Sequence, residues 1–234
     1  MKKTTKSTKK AVKEKPKEKK VIVKPKKEVV RKNISPLDTL KLFGRWDSNI
    51  EVRDLGLKKY LGLKARIIPR SGGRYQRKQF YKSKMHIVER LVLKMMVAGH
   101  SGKKHKISSG RNTESFLKNL STVEKSFEII EKKTKKNPIE VFVRALENAA
   151  IREETTSFQV GGIIARKAVI TSPQRRIDKA LRYIVQGTYQ KCYGKKSNVA
   201  DVLANEIIAA YNNSPDSLAI REKERIEREA ASAR

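Results

Sequence analysis

Ser172-Pro173-Gln174-Arg175-Arg176 opens a stretch whose residue types suit one kind of chemistry, the neutralisation of phosphate. At about 100° per residue, Arg175, Lys179, Arg182 and Gln186 fall in one row of a helix, and Ile177, Leu181, Ile184 and Thr188 fall on the opposite side. Such a helix buries one face and offers cations with the other. A second set lies in residues 64–84, where Lys64, Arg66, Arg70, Arg74, Arg77, Lys78, Lys82 and Lys84 occur without a single acid. Tyr75, Phe80 and Tyr81 are interleaved with them. Guanidinium groups alternating with aromatic rings suit wrapping along RNA, where one neutralises phosphate and the other stacks on bases. A solvated linker is the competing reading of this segment. Lys103 and Lys104, with Lys106 and Arg111, add a third basic group in a loop over residues 100–118.

Catalytic chemistry finds no comparable constellation. The histidines are His86, His100 and His105, and the last two sit in a lysine-rich loop without nearby carboxylates, where a zinc ion would be repelled. Gly102-Lys103-Lys104 resembles the end of a phosphate loop only superficially. Val97 stands where that loop needs glycine, and Lys104 where it needs Ser or Thr. No nucleophile elbow and no metal-spaced acids occur. The expectation is a protein without catalysis, cofactor or metal.

Composition agrees. The 234 residues carry 56 Lys+Arg against 24 Asp+Glu, a formal net charge of +32. Self-repulsion of that size is offset by a polyanion that releases its condensed counterions on binding. A membrane surface is disfavoured, because there is no apolar run of about 18 residues and no basic helix with a bulky aromatic face. The single Cys192 excludes a disulfide framework and reads as a small buried hydrophobe. With no apolar signal core at the N-terminus, a reducing intracellular setting is expected.

The elements that position the cations divide into three regions. Residues 1–33 read as a disordered lysine-rich tail: fifteen Lys/Arg and three Glu fall in residues 1–32. Residues 34–85 form a basic extension that wraps on RNA, with Asp54 capping a brief helix through Leu61 and Trp46 as a packing anchor. Residues 86–234 form a helical domain. Its signals are the apolar stripe Ile87, Val88, Leu91, Val92 and Met95 ended by Gly99, a capping box at Ser121 and Glu124, and Asn137-Pro138 as N-cap and first-turn proline. Ser197 caps a further helix, and Ser214-Pro215 starts a last one with a thin apolar stripe, expected to end exposed or to dock on a neighbouring protein. Its Glu224 and Arg228 stand at the favourable spacing for an ion pair. Between residues 154 and 171 the period changes to β-branched runs joined by Gly161-Gly162, a strong two-residue hairpin signal. Val160, Gly161, Gly162, Ile163, Ile164, Arg166 and Lys167 make its projecting tip. The fold class is mainly α, a bundle of about six helices with one protruding β-hairpin.

Several strings occur in the order found in one family. They are Val88-Glu89-Arg90-Leu91, Asn137-Pro138-Ile139-Glu140-Val141, Ala145-Leu146-Glu147-Asn148, Val160-Gly161-Gly162, Ser172-Pro173-Gln174-Arg175-Arg176, Ala180-Leu181-Arg182-Tyr183-Ile184 and Leu203-Ala204-Asn205-Glu206-Ile207. On these the chain resembles the small-subunit ribosomal protein seven family in its archaeal and eukaryotic form. Arg53-Asp54-Leu55-Gly56-Leu57-Lys58 and Ser71-Gly72-Gly73-Arg74 look like the archaeal-type extension. The resemblance implies binding to the 3′ major (head) domain of small-subunit ribosomal RNA early in head assembly, in a cytoplasmic ribosome. It also implies a hairpin near exit-site tRNA and the mRNA exit path, with head and platform proteins as neighbours. By match, Gly161, Gly162 and Arg166 belong to the hairpin tip, and Arg175, Arg176 and Arg182 face ribosomal RNA. The tail has no counterpart in the family pattern, and the spacer after Lys104 is long. The rival reading is a nucleoid or chromatin-type protein that compacts DNA. Clustering of arginines on shaped elements rather than only in a tail favours folded RNA.

Overall fold

The computed structural model describes residues 40–98 and 115–234. Tail residues 1–33 and the loop cations Lys103 and Lys104 lie outside the described residues. Among the described residues there are seven α-helices and one two-stranded sheet: α1 (Leu55–Lys58), α2 (Ile87–Met96), α3 (Phe116–Thr134), α4 (Pro138–Ala149), β1 (Glu153–Val160), β2 (Ile163–Ile170), α5 (Pro173–Cys192), α6 (Val199–Tyr211) and α7 (Leu218–Ser232).

The helices start where side chains satisfy their free N–H groups. Asp54 accepts from Gly56 N at 2.9 Å, and Asn137 accepts from Ile139 N at 3.1 Å with Pro138 in the first turn. Three starts differ from the sequence reading. α3 begins at Phe116 with Ser115 as N-cap, so Ser121 and Glu124 lie inside it. Partly buried Phe116 and Leu120 and buried Asn119 extend the inward face of Val123, Phe127 and Ile130 backwards, and packing outweighs the capping pattern. α6 is capped by Asn198 rather than Ser197. α7 is capped by Ser217, while Ser214 Oγ donates to Asp216 Oδ2 at 3.0 Å in the preceding turn.

α6 packs against α3, α4 and α5, so Leu203, Ala204, Ile207 and Ala210 sit at the centre of the core. The expected stripes are inside: Ile87, Val88, Leu91, Val92 and Met95 of α2, and Ile177, Leu181, Ile184 and Thr188 of α5. Trp46 anchors the 40–61 segment, its ring edge-on to Phe43 and Phe127 at 5.9 and 5.8 Å and its Nε1 donating to Glu131 at 3.1 Å. Cys192 is buried as a hydrophobe.

α7 departs from expectation. Leu218, Ala219, Ile220, Ile226 and Ala230 are buried, and the helix packs on α5 and on β1 of its own chain. Arg225 pairs with Glu222 and Glu229, whereas Arg228 Nε donates to the main-chain oxygen of Glu224 at 3.2 Å. The thin stripe suffices because small alanines let the helix approach closely. Gly187 of α5 shows the same economy: a Cβ there would lie 2.8 Å from Glu206 Oε1 and 2.9 Å from Leu218 Cβ.

β1 and β2 pair antiparallel, from Glu153 opposite Ile170 to Val160 opposite Ile163. Gly161 and Gly162 both take positive φ, 55° and 87°, in the type of turn whose twist matches the strands. Ile163 and Ile164 beside it are 74% and 70% exposed, so the ribbon projects as expected.

Candidate nucleic-acid interface

Residues 64–84 hold short turns rather than one extended run. They turn through two short 3-10 turns, Arg74–Gln76 and Tyr81–Lys84, and are tied to α2 and α5 by acids. Glu89, buried on α2, accepts from Ser71 N at 2.7 Å and from Ser71 Oγ at 2.6 Å. Asp178 on α5 accepts from Lys82 Nζ at 2.6 Å and from Arg90 Nη2 at 3.0 Å. Arg90 is among the largest fully buried side chains; its Nη1 donates to Tyr60 O at 2.9 Å. Burial lowers the Arg90 pKa against the opposing pull of Asp178. Burial also works against the Asp178 carboxylate, but hydrogen bonding by Lys82 and the Arg90 charge outweigh it and hold its pKa below the usual range.

Aromatic rings steady several of the cations. Arg66 stacks over Tyr75 at 5.6 Å and donates to its hydroxyl at 2.6 Å, Arg70 lies 5.8 Å from Phe116, and Lys84 lies 3.9 Å from Tyr81. Arg70, Arg74, Arg77, Lys78 and Lys84 remain exposed, with Lys82 half-buried on its carboxylate.

The predicted row on α5 is not uniform. Arg182 is exposed and makes no hydrogen bond or ion pair with any described residue. Arg175 and Lys179 share Glu154 of β1, Arg175 Nη2 reaching Glu154 Oε2 at 3.0 Å. Arg176 turns away and bonds Asp54 Oδ2 at 2.8 Å. Gln186 is buried rather than presented. α5 therefore uses Arg175, Arg176 and Lys179 partly to fix the hairpin base and α1, and leaves Arg182 as its free cation. On the hairpin, Arg166 sits opposite Ser157 and Lys167 opposite Thr156, so both lie along the ribbon while Ile163 and Ile164 adjoin the turn.

Sequence reasoning missed the acids that organise this surface, because their partners lie far away along the chain. It also missed Lys94, half-buried beside Asp178 and Arg182, although the Arg90–Lys94 spacing of four on an apolar helix was available as a signal. His86 caps α2, its Nδ1 accepting from Val88 N at 3.2 Å. Burial, aided by the Arg66 charge, lowers its pKa from 6.5 to about 4, so it is neutral at pH 7. Among the described residues no group of three or more His, Cys, Asp or Glu is placed to hold a metal, and no helix is long and apolar enough to cross a membrane.

The chain thus carries exposed cations held by internal acids together with a projecting hairpin, and comparison with known proteins shows its family. The model of the family "Ribosomal protein S7p/S5e" matches residues 57–234. The small ribosomal subunit protein uS7 of Nanoarchaeum equitans is 50% identical over 196 residues, covering 83% of this chain and 99% of its own. The small ribosomal subunit protein uS7 of Methanothrix thermoacetophila is 43% identical over 196 residues, covering 83% of this chain and 100% of its own. The family-model match and the two relatives together show that this chain belongs to the ribosomal protein S7p/S5e family, a family of structural proteins of the small ribosomal subunit and not of enzymes.

Proposed function

We propose that this chain is a structural constituent of the small ribosomal subunit that binds the 3′ major domain of small-subunit rRNA and helps nucleate head assembly in the cytoplasm. Residues 64–84 and the exposed edge of α5 supply the phosphate contacts: Arg70, Arg74, Arg77, Lys78, Lys84 and Arg182 directly, and Lys82 through charge it shares with Asp178. Arg175, Arg176 and Lys179 contribute through charge they share with Glu154 and Asp54. Lys103 and Lys104 are added as further rRNA-binding residues from the sequence alone. The tip from Val160 to Ile164, with Arg166 and Lys167 behind it, lies near exit-site tRNA and the mRNA exit path, among head and platform proteins.

The observation that carries this reading is the anchoring of residues 64–84. Glu89 and Asp178 fix a backbone dense in cations, so its charges are held in position before RNA arrives and little ordering remains to oppose binding. A protein that only compacts DNA needs net charge and no such arrangement. Sedimentation of native lysate tests the reading: the chain should co-migrate with small subunits after a high-salt wash, and migration with DNA would refute it.

A further inference from the structure

A pocket of about 650 Å³ opens between residues 75–85, α2 and α5. That volume lies within the roughly 300–1,000 Å³ typical of small-molecule sites, enough for one nucleotide. Met85, Leu93, Val97, Ala98 and Val185 make its floor apolar, and Tyr75 and Phe80 wall one side. Phe80 is 72% exposed and held at φ 64°, a conformation that costs a bulky residue energy and that neighbouring structure must enforce. Lys78, Lys82, Arg90, Lys94 and Arg182 meet the single acid Asp178 around the same space. Asp178 is already spent on Lys82 and Arg90. Lys94 and Arg182 thus form no hydrogen bond or ion pair among the described residues. Burial destabilises the Lys94 charge and Lys82, Arg182 and Arg90 repel it, with only Asp178 in its favour. A bound anion would relieve that repulsion.

We propose that this pocket takes one unstacked base of single-stranded RNA, stacked against Tyr75 or Phe80 over the Leu93–Val97 floor, with a flanking phosphate on Lys94 and Arg182. The apolar floor, the aromatic wall and the cationic rim match the three parts of an extruded nucleotide, whereas an acidic peptide would leave the apolar floor and aromatic wall unused. The proposal rests on the RNA-binding reading above and adds to it a site that holds a base rather than backbone.

The test uses the full chain and a transcript of the small-subunit 3′ major domain, mapped with dimethyl sulfate. Wild-type protein should protect the Watson–Crick edge of an unpaired nucleotide. Leu93→Trp, which fills the pocket, should return that nucleotide to full reactivity and weaken binding roughly 5- to 150-fold, the worth of one stacked base. The remaining protections should persist. A folded Leu93→Trp protein with unchanged footprint and affinity overturns the proposal, and is the result expected if a protein segment occupies the pocket instead. Should Leu93→Trp fail to fold, Phe80→Ala and Lys94→Gln, both away from the innermost core, must deprotect the same nucleotide or the proposal fails. A wild-type protein that leaves no footprint at all removes the RNA-binding reading itself.

Discussion

Asp178 is a carboxylate that joins residues 64–84, α2 and α5, and Asp178→Asn is the substitution that best tests how the basic surface is held. The Arg90 guanidinium is 1% exposed and its charge has no other acid partner among the described residues. Removing one member of a buried ion pair costs about 3–5 kcal/mol, because the other charge is left uncompensated. Asn keeps an oxygen for Arg90 Nη2, which places the loss near the lower end, about 3 kcal/mol. For a chain of this size that corresponds to a fall in melting temperature of about 6–12 °C. Thermal unfolding followed by far-ultraviolet circular dichroism at neutral pH measures it. Adding Arg90→Met should restore part of the loss, since no orphan charge then remains; the two changes should be non-additive by about 1–3 kcal/mol. The pH dependence carries a sign. The folded Asp178 pKa lies below the usual range, so its stabilisation is full above about pH 3.9, the unfolded value, and fades as pH falls below that. The Asn variant should lack that limb. A fall of less than about 2 °C, or strict additivity in the double variant, would refute the reasoning.

His86, with its pKa lowered to about 4, is protonated more readily unfolded than folded. Stability should therefore decline as pH falls from 6.5 towards 4, and His86→Asn, which keeps a capping acceptor, should flatten that decline in melting curves. Gly187→Ala gains about 1 kcal/mol of helix propensity but drives a methyl into Glu206 and Leu218; a net loss of roughly 1–3 kcal/mol is expected by denaturant unfolding, and a gain would show the contact to be soft. Arg182→Gln should reduce the log–log salt slope of rRNA binding by about one, Arg175→Gln by less, and Glu154→Gln should raise it; equal effects at Arg175 and Arg182 would mean the Glu154 pairing does not survive in solution. Shortening the hairpin across residues 160–166 should leave incorporation into subunits intact and alter tRNA retention at the exit site, so subunits that exclude the shortened protein would make the hairpin an assembly contact.

Where local rules decide, the sequence was readable. Gly161-Gly162 between β-branched runs can hardly be anything but a two-residue turn, and Asn137-Pro138 combines a side-chain acceptor with a fixed φ at one helix start. Ser121 and Glu124 satisfy a local capping pattern, but buried Asn119 and partly buried Leu120 start α3 earlier. The interface was legible as composition but not as geometry. Nothing near Arg175 in the chain reveals that Glu154 will hold it, and Arg176 meets Asp54 across 122 residues. Helical periodicity placed Gln186 in the cationic row, yet α5 is enclosed on more of its circumference at that end than a single stripe implies.

The contact between α7 and the base of β1 has a consequence in time. A two-stranded ribbon alone is marginally stable, and here Arg152 N donates to Glu227 Oε1 at 3.0 Å while Arg234 reaches Glu153. These partners leave the ribosome some sixty residues after Ile170, about 3–12 s later at usual elongation rates of roughly 5–20 residues per second. During that interval the finished hairpin is a nascent ribbon without its final brace, and protease sensitivity at its base should disappear only when α7 has emerged. α7 is thus the latch that commits the arm to its direction.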